Sequence, residues 1–466
     1  MTNIYEKIKE DLNNYYNSND SNIWRNRNHI EMPFGLVNDP NGLSFFDGKY
    51  HIFYQWNPFG CEHKTKHWGL VKTTDFVNFT KPEIILKPED WFDKNGVYSG
   101  GAYVRDDTLK LFYTGNVKDE NNNRESYQCI ADYNKDGTFA KKGPVIPKQP
   151  EGYTAHFRDP MVFVNDGIYY MVLGVQRENL TGAALIYKSE DIEKWEIVGE
   201  LKTEMNDFGF MWECPNIVKV SDDKYAFLFS PQGLEAEEFK NQNIYQSGYV
   251  IGELDFNVPE LKNHSEFKEI DMGFDFYAPQ TFQDGKGRRI LIGWMGMPDA
   301  DEEYVNPTAQ SEGWQHCLTV PREVTYKNGM LYQYPVKELN GLRENRTSIS
   351  GSSVELPVNG PFDLDIQVKG DQGKVSLGEN LFLEYQGGDV ILTLSETVGA
   401  GRKVRKAHVP SGKVESLRIL ADTTAVEIYV NGGEVVFSTR YYPETQAQAV
   451  KVEAADVDGK IYGLKN

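Results

Sequence analysis

The chain has 466 residues and a net charge of −20, from 49 Lys plus Arg against 69 Asp plus Glu, which makes attraction to nucleic-acid phosphates unfavourable. Its length predicts more than one domain, and 27 Tyr, 25 Phe and 8 Trp in alternating runs broken by Gly, Asn and Asp favour strands over helices. Cys61, Cys129, Cys214 and Cys317 are too scattered for a zinc site or a disulfide framework, and they read as reduced thiols. No signal-like or membrane-spanning apolar run is present, so the expectation is a cytoplasmic protein with no membrane partner.

At the N-terminus, Ile4, Ile8, Leu12 and Tyr15 recur at helical spacing and predict a short amphipathic helix within a lead-in segment over 1–31. Five similar segments follow: 44–56, 103–115, 163–174, 220–230 and 282–294. Each reads as a strand, a tight Asp/Asn/Gly turn and a second strand. The turns, near residues 47, 106, 166, 222 and 285, recur about every 60 residues, long enough for one four-stranded propeller blade per repeat. The predicted fold is all-β, with a five-bladed β-propeller over 32–338.

Beyond the last hairpin, the Ser/Gly-rich stretch 347–353 reads as the boundary of a second domain over 347–466. The segment 416–443 alternates apolar and polar residues around Asn431-Gly432-Gly433, as an antiparallel sandwich pair does. A β-sandwich with a packing role is expected.

Seven to nine residues before each hairpin turn stand Asp39, Ser99, Asp159, Glu213 and Tyr277. The first strand of a propeller blade lines the central channel, so these positions are expected to form one ring and three carboxylates to share one pocket. Each acid alone could cap a turn, but three in Pro-containing turns (38–42, 157–160 and 212–215) point to chemistry.

Without a Cys/His cluster or a phosphate-cradling Gly-rich loop, that chemistry rests on carboxyl groups, and no metal or cofactor is expected. Paired carboxylates suit glycoside hydrolysis, one attacking the sugar and one protonating the leaving oxygen; a third would bind sugar. The expected partner is a small saccharide. Calcium is the competing use of clustered acids, but no Asp-x-Asp-x-Asp-Gly loop is present. Trp56, Trp68, Trp212 and Trp294 could stack on sugar faces, although each is also a natural core residue. Gln55 returns to the rim of Asp39 across the hairpin, and Arg158 could bind hydroxyls or hold a neighbouring carboxylate ionised.

The blocks NDPNG (38–42), FYQWNP (53–58), GVYSGG (96–101), FRDP (157–160) and WECP (212–215), with DFYAPQ (275–280) and GWM (293–295), resemble those of glycoside hydrolase family 32. The resemblance spans nearly the whole chain. It implies a propeller followed by a sandwich and the hydrolysis of terminal β-fructofuranosyl bonds through a covalent fructosyl-enzyme. Asp39 then matches the nucleophile, Glu213 the acid/base and Asp159 the group holding fructose hydroxyls. Asn38, Gln55, Tyr98, Ser99, Arg158, Tyr277 and Trp294 match sugar-contacting positions. Two departures, the residues leading into NDPNG and Leu70 where the family usually has His, fall near the expected pocket.

Within that family sucrose, sucrose-6-phosphate and short fructo-oligosaccharides are the candidate substrates. The run HKTKH (63–67) offers Lys64 and Lys66 as a possible phosphate site, against the alternative of a solvated loop. Two other readings remain open at this point: an arabinan- or xylan-cleaving propeller hydrolase, and a sugar-binding propeller without catalysis.

Overall fold

The computed structural model describes residues 4–18, 22–300 and 306–465. Five antiparallel sheets surround a central axis. Their innermost strands are Gly35–Phe46, Ala102–Arg105, Tyr153–Asn165, Met211–Lys219 and Tyr277–Gln283, for blades I to V. The Asp-Gly turns explain the hairpins: Asp47 and Gly48, and Asp166 and Gly167, all have positive φ, the geometry that matches strand twist in a two-residue turn. Trp314–Gln315, from the chain crossing blade V, pairs in parallel with Gly35 and Leu36 and so joins the last blade to the first.

Apolar side chains are sandwiched between neighbouring blades, which is why the blade strands are apolar on both faces. Phe53, Trp68 and Leu70 meet Leu109, Leu111 and Tyr113 between blades I and II. Tyr54 and Trp56 meet Ile292 and Trp294 between blades V and I, where Ile8 and Leu12 of the helix Ile4–Asn17 also pack. Ile4, placed on that apolar face by spacing, is exposed instead.

Nine strands make up the C-terminal sheet. Its sandwich form comes from three long strands, Arg343–Asn359, Phe362–Leu377 and Ala447–Leu464, that run through both layers. The first half of Phe362–Leu377 pairs with Ser416–Ala421 and the second half with Leu381–Gln386. The register shift between Lys369 and Gly373, with Gly370 at positive φ, turns the strand from one layer to the other. The Ser/Gly-rich stretch 347–353, read as a boundary, lies inside Arg343–Asn359; the last propeller strand ends earlier, at Pro335. Small polar residues fit there because most of that strand faces solvent.

The two units share a buried polar junction. Glu427 accepts Arg322 Nε at 2.9 Å, the Val320 amide at 2.7 Å and His29 Nε2 at 3.0 Å, while His29 Nδ1 meets Asp422 at 2.8 Å. Arg322 also reaches Asp271 at 3.0 Å, so lead-in, propeller and sandwich are held by one network.

Candidate active site

The inner strands of blades I, III, IV and V lose regular pairing at a proline: Pro40, Pro160, Pro215 and Pro279. Proline lacks the ladder N–H, and a bulge re-aims the side chains around it. In three adjacent blades the residue before the proline sits in the left-handed region: Asp159 (φ 64°), Cys214 (φ 47°) and Ala278 (φ 47°). Such strain persists only where the surroundings over-determine it.

Asp39 and Asp159 immediately precede their prolines, but Glu213 stands one residue earlier, and Cys214 holds the pre-proline place in blade IV. Ser99 lies outside the strands, in the connection leading to Ala102–Arg105. Even so, the acids converge. The Cys214 sulfur is 4.0 Å from Asp39 Oδ2 and 3.6 Å from Asp159 Oδ2, next in sequence to Glu213.

The three carboxylates have different partners. Asp39 accepts Ser99 Oγ at 2.5 Å and Asn38 Nδ2 at 3.0 Å. Glu213 Oε1 accepts Arg158 Nε at 3.0 Å and Nη2 at 2.6 Å, while Oε2 accepts Tyr277 OH at 2.7 Å and Gln232 Nε2 at 3.0 Å. Asp159 Oδ2 accepts the Cys214 amide at 2.9 Å. Burial raises the Asp39 carboxyl above the ordinary range, against the lowering effect of the Ser99 and Asn38 donors. Burial and the Glu213 charge push Asp159 up to about 7 in spite of Arg158. Burial holds the Cys214 sulfur as a thiol, its pKa well above the ordinary value.

Asn38, Ser99, Arg158 and Tyr277 therefore lie directly against the acids. Trp294 stands edge-on to Tyr277, with ring centres 6.2 Å apart, and its ring also meets His63 and His316. Tyr98 is half-buried beside Ser99. Gln55 is buried and donates to the Val97 carbonyl at 2.9 Å, which supports the wall beneath Ser99.

Trp56 and Trp68 do not offer a stacking face. Both are 0% exposed, and their indole N–H groups donate to the carbonyls of Phe34 and Tyr98. Trp212 is likewise core and donates to the Phe208 carbonyl. Leu70, Leu36 and Val37, at the two departures from the family blocks, are fully buried, Leu70 and Val37 within the apolar clusters between blades. Leu70 and Val37 therefore bear on packing between blades.

Lys64 and Lys66 part company. Lys64 is exposed and pairs with Glu62. Lys66 is buried and donates to Asn38 Oδ1 at 2.6 Å and to His63 Nδ1 at 3.1 Å. Burial pushes its ammonium down to about 7, against the attraction of Asp39. It orients the amide that holds Asp39, and the two lysines do not form one anion site.

Gln232, His156 and Arg124 were not foreseen from the sequence. Gln232 had a signal: it returns to the pocket rim across the blade IV hairpin, pairing with Met211, as Gln55 does in blade I. His156 and Arg124 carry no motif and are placed by tertiary contacts with Arg158 and Tyr98.

A five-bladed propeller with separately partnered carboxylates on its inner strands defines a glycoside hydrolase. Comparison with known proteins gives the family. Residues 29–335 match the Glycosyl hydrolases family 32 N-terminal domain, and residues 389–464 match the Glycosyl hydrolases family 32 C terminal. The chain belongs to glycosyl hydrolase family 32.

Among its relatives, the sucrose-6-phosphate hydrolase of Bacillus subtilis is 45% identical over 427 residues, covering 89% of this chain and 88% of the relative. That of Salmonella typhimurium is 40% identical over the same shares of the two chains. The solved sucrose-6-phosphate hydrolase of Lactobacillus gasseri superposes with a TM-score of 0.90 at 29% identity, covering 99% of this chain and 96% of that one. A β-fructofuranosidase of Bombyx mori gives 0.87 at 31% identity, with coverage of 99% and 98%.

Proposed function

We propose that this enzyme hydrolyses terminal β-D-fructofuranosyl bonds of sucrose-type saccharides, with sucrose-6-phosphate as the preferred substrate and with retention at the anomeric carbon. The observation that carries the reading is the unequal treatment of two converging carboxylates. Asp39 is held by the neutral donors Ser99 and Asn38, whereas Glu213 is gripped by Arg158, Tyr277 and Gln232. Unequal surroundings let paired carboxyl groups take different roles, and which takes which follows the family blocks in which Asp39 and Glu213 stand. The names of the relatives support fructosyl substrates, and those of Bacillus subtilis and Salmonella typhimurium support the phosphorylated one.

Asp39 attacks the anomeric carbon of fructose as the glycosidic C–O bond breaks, and Glu213 gives its proton to the departing oxygen. Glu213 then takes a proton from water, which hydrolyses the fructosyl ester and frees Asp39. Asp159, fixed by the Cys214 amide, binds fructose hydroxyls. The only cosubstrate is water. A phosphorylated sugar is an intracellular substrate, which fits the cytoplasm and the four free thiols; among the described residues no helix is long and apolar enough to cross a membrane.

Monosaccharide release from sucrose, sucrose-6-phosphate, a short inulin oligosaccharide and an arabinan oligosaccharide tests the reading. Release from the fructosides, with the β-anomer formed first, supports it. Release of pentose alone, or of the inverted anomer, overturns it.

A further inference from the structure

Glu213 must touch the glycosidic oxygen if it is to protonate it, so the leaving sugar lies beside the groups that surround Glu213. Most of these are already committed. Arg158 spends three N–H groups on Glu213 and His156, and Tyr277 and Gln232 donate to the other carboxylate oxygen.

Arg124 is the cation left over. It begins the blade II strand Arg124–Asn134, in which alternate residues share a face. On that face Gln128 donates to the Phe157 carbonyl at 2.9 Å and Ser126 to the Ala155 carbonyl at 2.7 Å. Arg124 is the next step along, towards the start of the blade III inner strand. Its guanidinium lies over the ring of Tyr98, 5.6 Å from the centre, and among the described residues it makes no ion pair with a carboxylate. It is half-buried and close enough to Arg158 and Glu213 to feel both charges.

His156 supplies a second donor. Its Nδ1 faces Arg158 Nη1 at 2.8 Å, and a guanidinium can only donate, so Nδ1 accepts. Burial and the two neighbouring arginines keep the ring neutral, its pKa down at about 4. The ring proton is therefore on Nε2, on a ring held by Arg158 and within reach of the Arg124 charge.

We infer that Arg124, assisted by His156 Nε2–H, binds the phosphate of a 6-phosphorylated leaving sugar and sets the enzyme's preference for it. This rests on the fructosidase reading above. The chemistry fits: a planar fork on an aromatic face binds two phosphate oxygens, and the planar aromatic ring leaves its donors free to do so. The exposed Lys64 and the committed Lys66 have no part in it.

The test compares wild type, Arg124→Gln and Arg124→Lys by kcat/KM on sucrose-6-phosphate and on sucrose, and by inhibition with glucose 6-phosphate and with glucose. Wild type should prefer the phosphorylated substrate. Arg124→Gln should lose at least about tenfold of that preference, the scale of a charge-assisted hydrogen bond. The loss should fall on KM rather than kcat, because the phosphate is remote from the breaking bond. Inhibition by glucose 6-phosphate should weaken more than inhibition by glucose, and Arg124→Lys should keep part of the preference. An undiminished preference in Arg124→Gln, or equal losses on both substrates, overturns the inference. Wild-type cleavage of sucrose without preference overturns it while the hydrolase reading stands; release of fructose from neither substrate removes both.

Discussion

Ser99 donates its hydroxyl to Asp39 at 2.5 Å, so a connection in blade II holds the carboxylate carried by blade I. That hydrogen bond lowers the pKa of a carboxyl that burial raises. In Ser99→Ala the pKa of Asp39 rises further, and a nucleophile that must be ionised becomes available only at higher pH. The acidic limb of the kcat/KM profile should therefore move up, with kcat/KM at the optimum falling about tenfold. A limb at its wild-type position would show that Ser99 does not tune Asp39.

Lys66 acts on the same carboxylate from the other side, through Asn38. Lys66→Met removes a charge that favours ionised Asp39 and frees the Asn38 amide to turn. The expected result is a loss of about tenfold in kcat/KM, the same on sucrose and on sucrose-6-phosphate, with the acidic limb again displaced upward. Lys64→Ala, which removes an exposed pair with Glu62, should leave both substrates close to wild type. A loss in Lys66→Met confined to the phosphorylated substrate would restore Lys66 as a phosphate ligand.

Glu213→Gln keeps the size of the side chain but cannot deliver a proton. Turnover of sucrose should fall by about 10²–10⁴, the usual contribution of general acid catalysis. A β-fructofuranosyl substrate with a good leaving group, such as the fluoride, needs little protonation and should lose much less in its first step, seen as a burst of fluoride release. Equal losses on sucrose and on the fluoride burst would remove Glu213 from the acid role.

The pattern of gains and misses has a physical basis. Hairpins are local: Asp-Gly at 47–48 and 166–167 adopts the positive φ that its sequence announces, and the recurrence of an Asp-containing turn about every 60 residues reveals the propeller. The acids were legible because each stands beside a proline in the inner strand of its blade. Their registers were not, since the bulges that re-aim these side chains depend on pairing with the neighbouring strand. Aromatic residues mislead for a related reason. Trp56 and Trp68 lie at strand ends in sequence, yet packing between blades buries them completely, and only the three-dimensional neighbours distinguish wall from platform. Arg124 was invisible because its importance comes from Tyr98 and Glu213, 26 and 89 residues away in sequence.

The junction between the two units was equally unreadable, and it makes the molecule's stability depend on pH. His29 Nδ1 meets Asp422 and Nε2 meets Glu427, and both nitrogens can donate only in the imidazolium form. Those hydrogen bonds and charges raise its pKa from 6.5 to about 9, against the effect of burial. A group whose pKa is raised on folding adds stability that is fully present below its unfolded value and is lost as pH rises through the folded value. The urea midpoint of the wild type should therefore decline between pH 6.5 and 9. His29→Gln should have a lower midpoint at pH 6, vary less across that window, and approach the wild type above pH 9. On the acid side the sign reverses: Glu427, held down to about 2 chiefly by Arg322, contributes stability that is lost as pH falls from about 4.5 through 2. Parallel midpoint curves for wild type and His29→Gln from pH 6 to 9 would mean that His29 is not charged at the junction, and would leave Arg322 as the cation that neutralises Glu427.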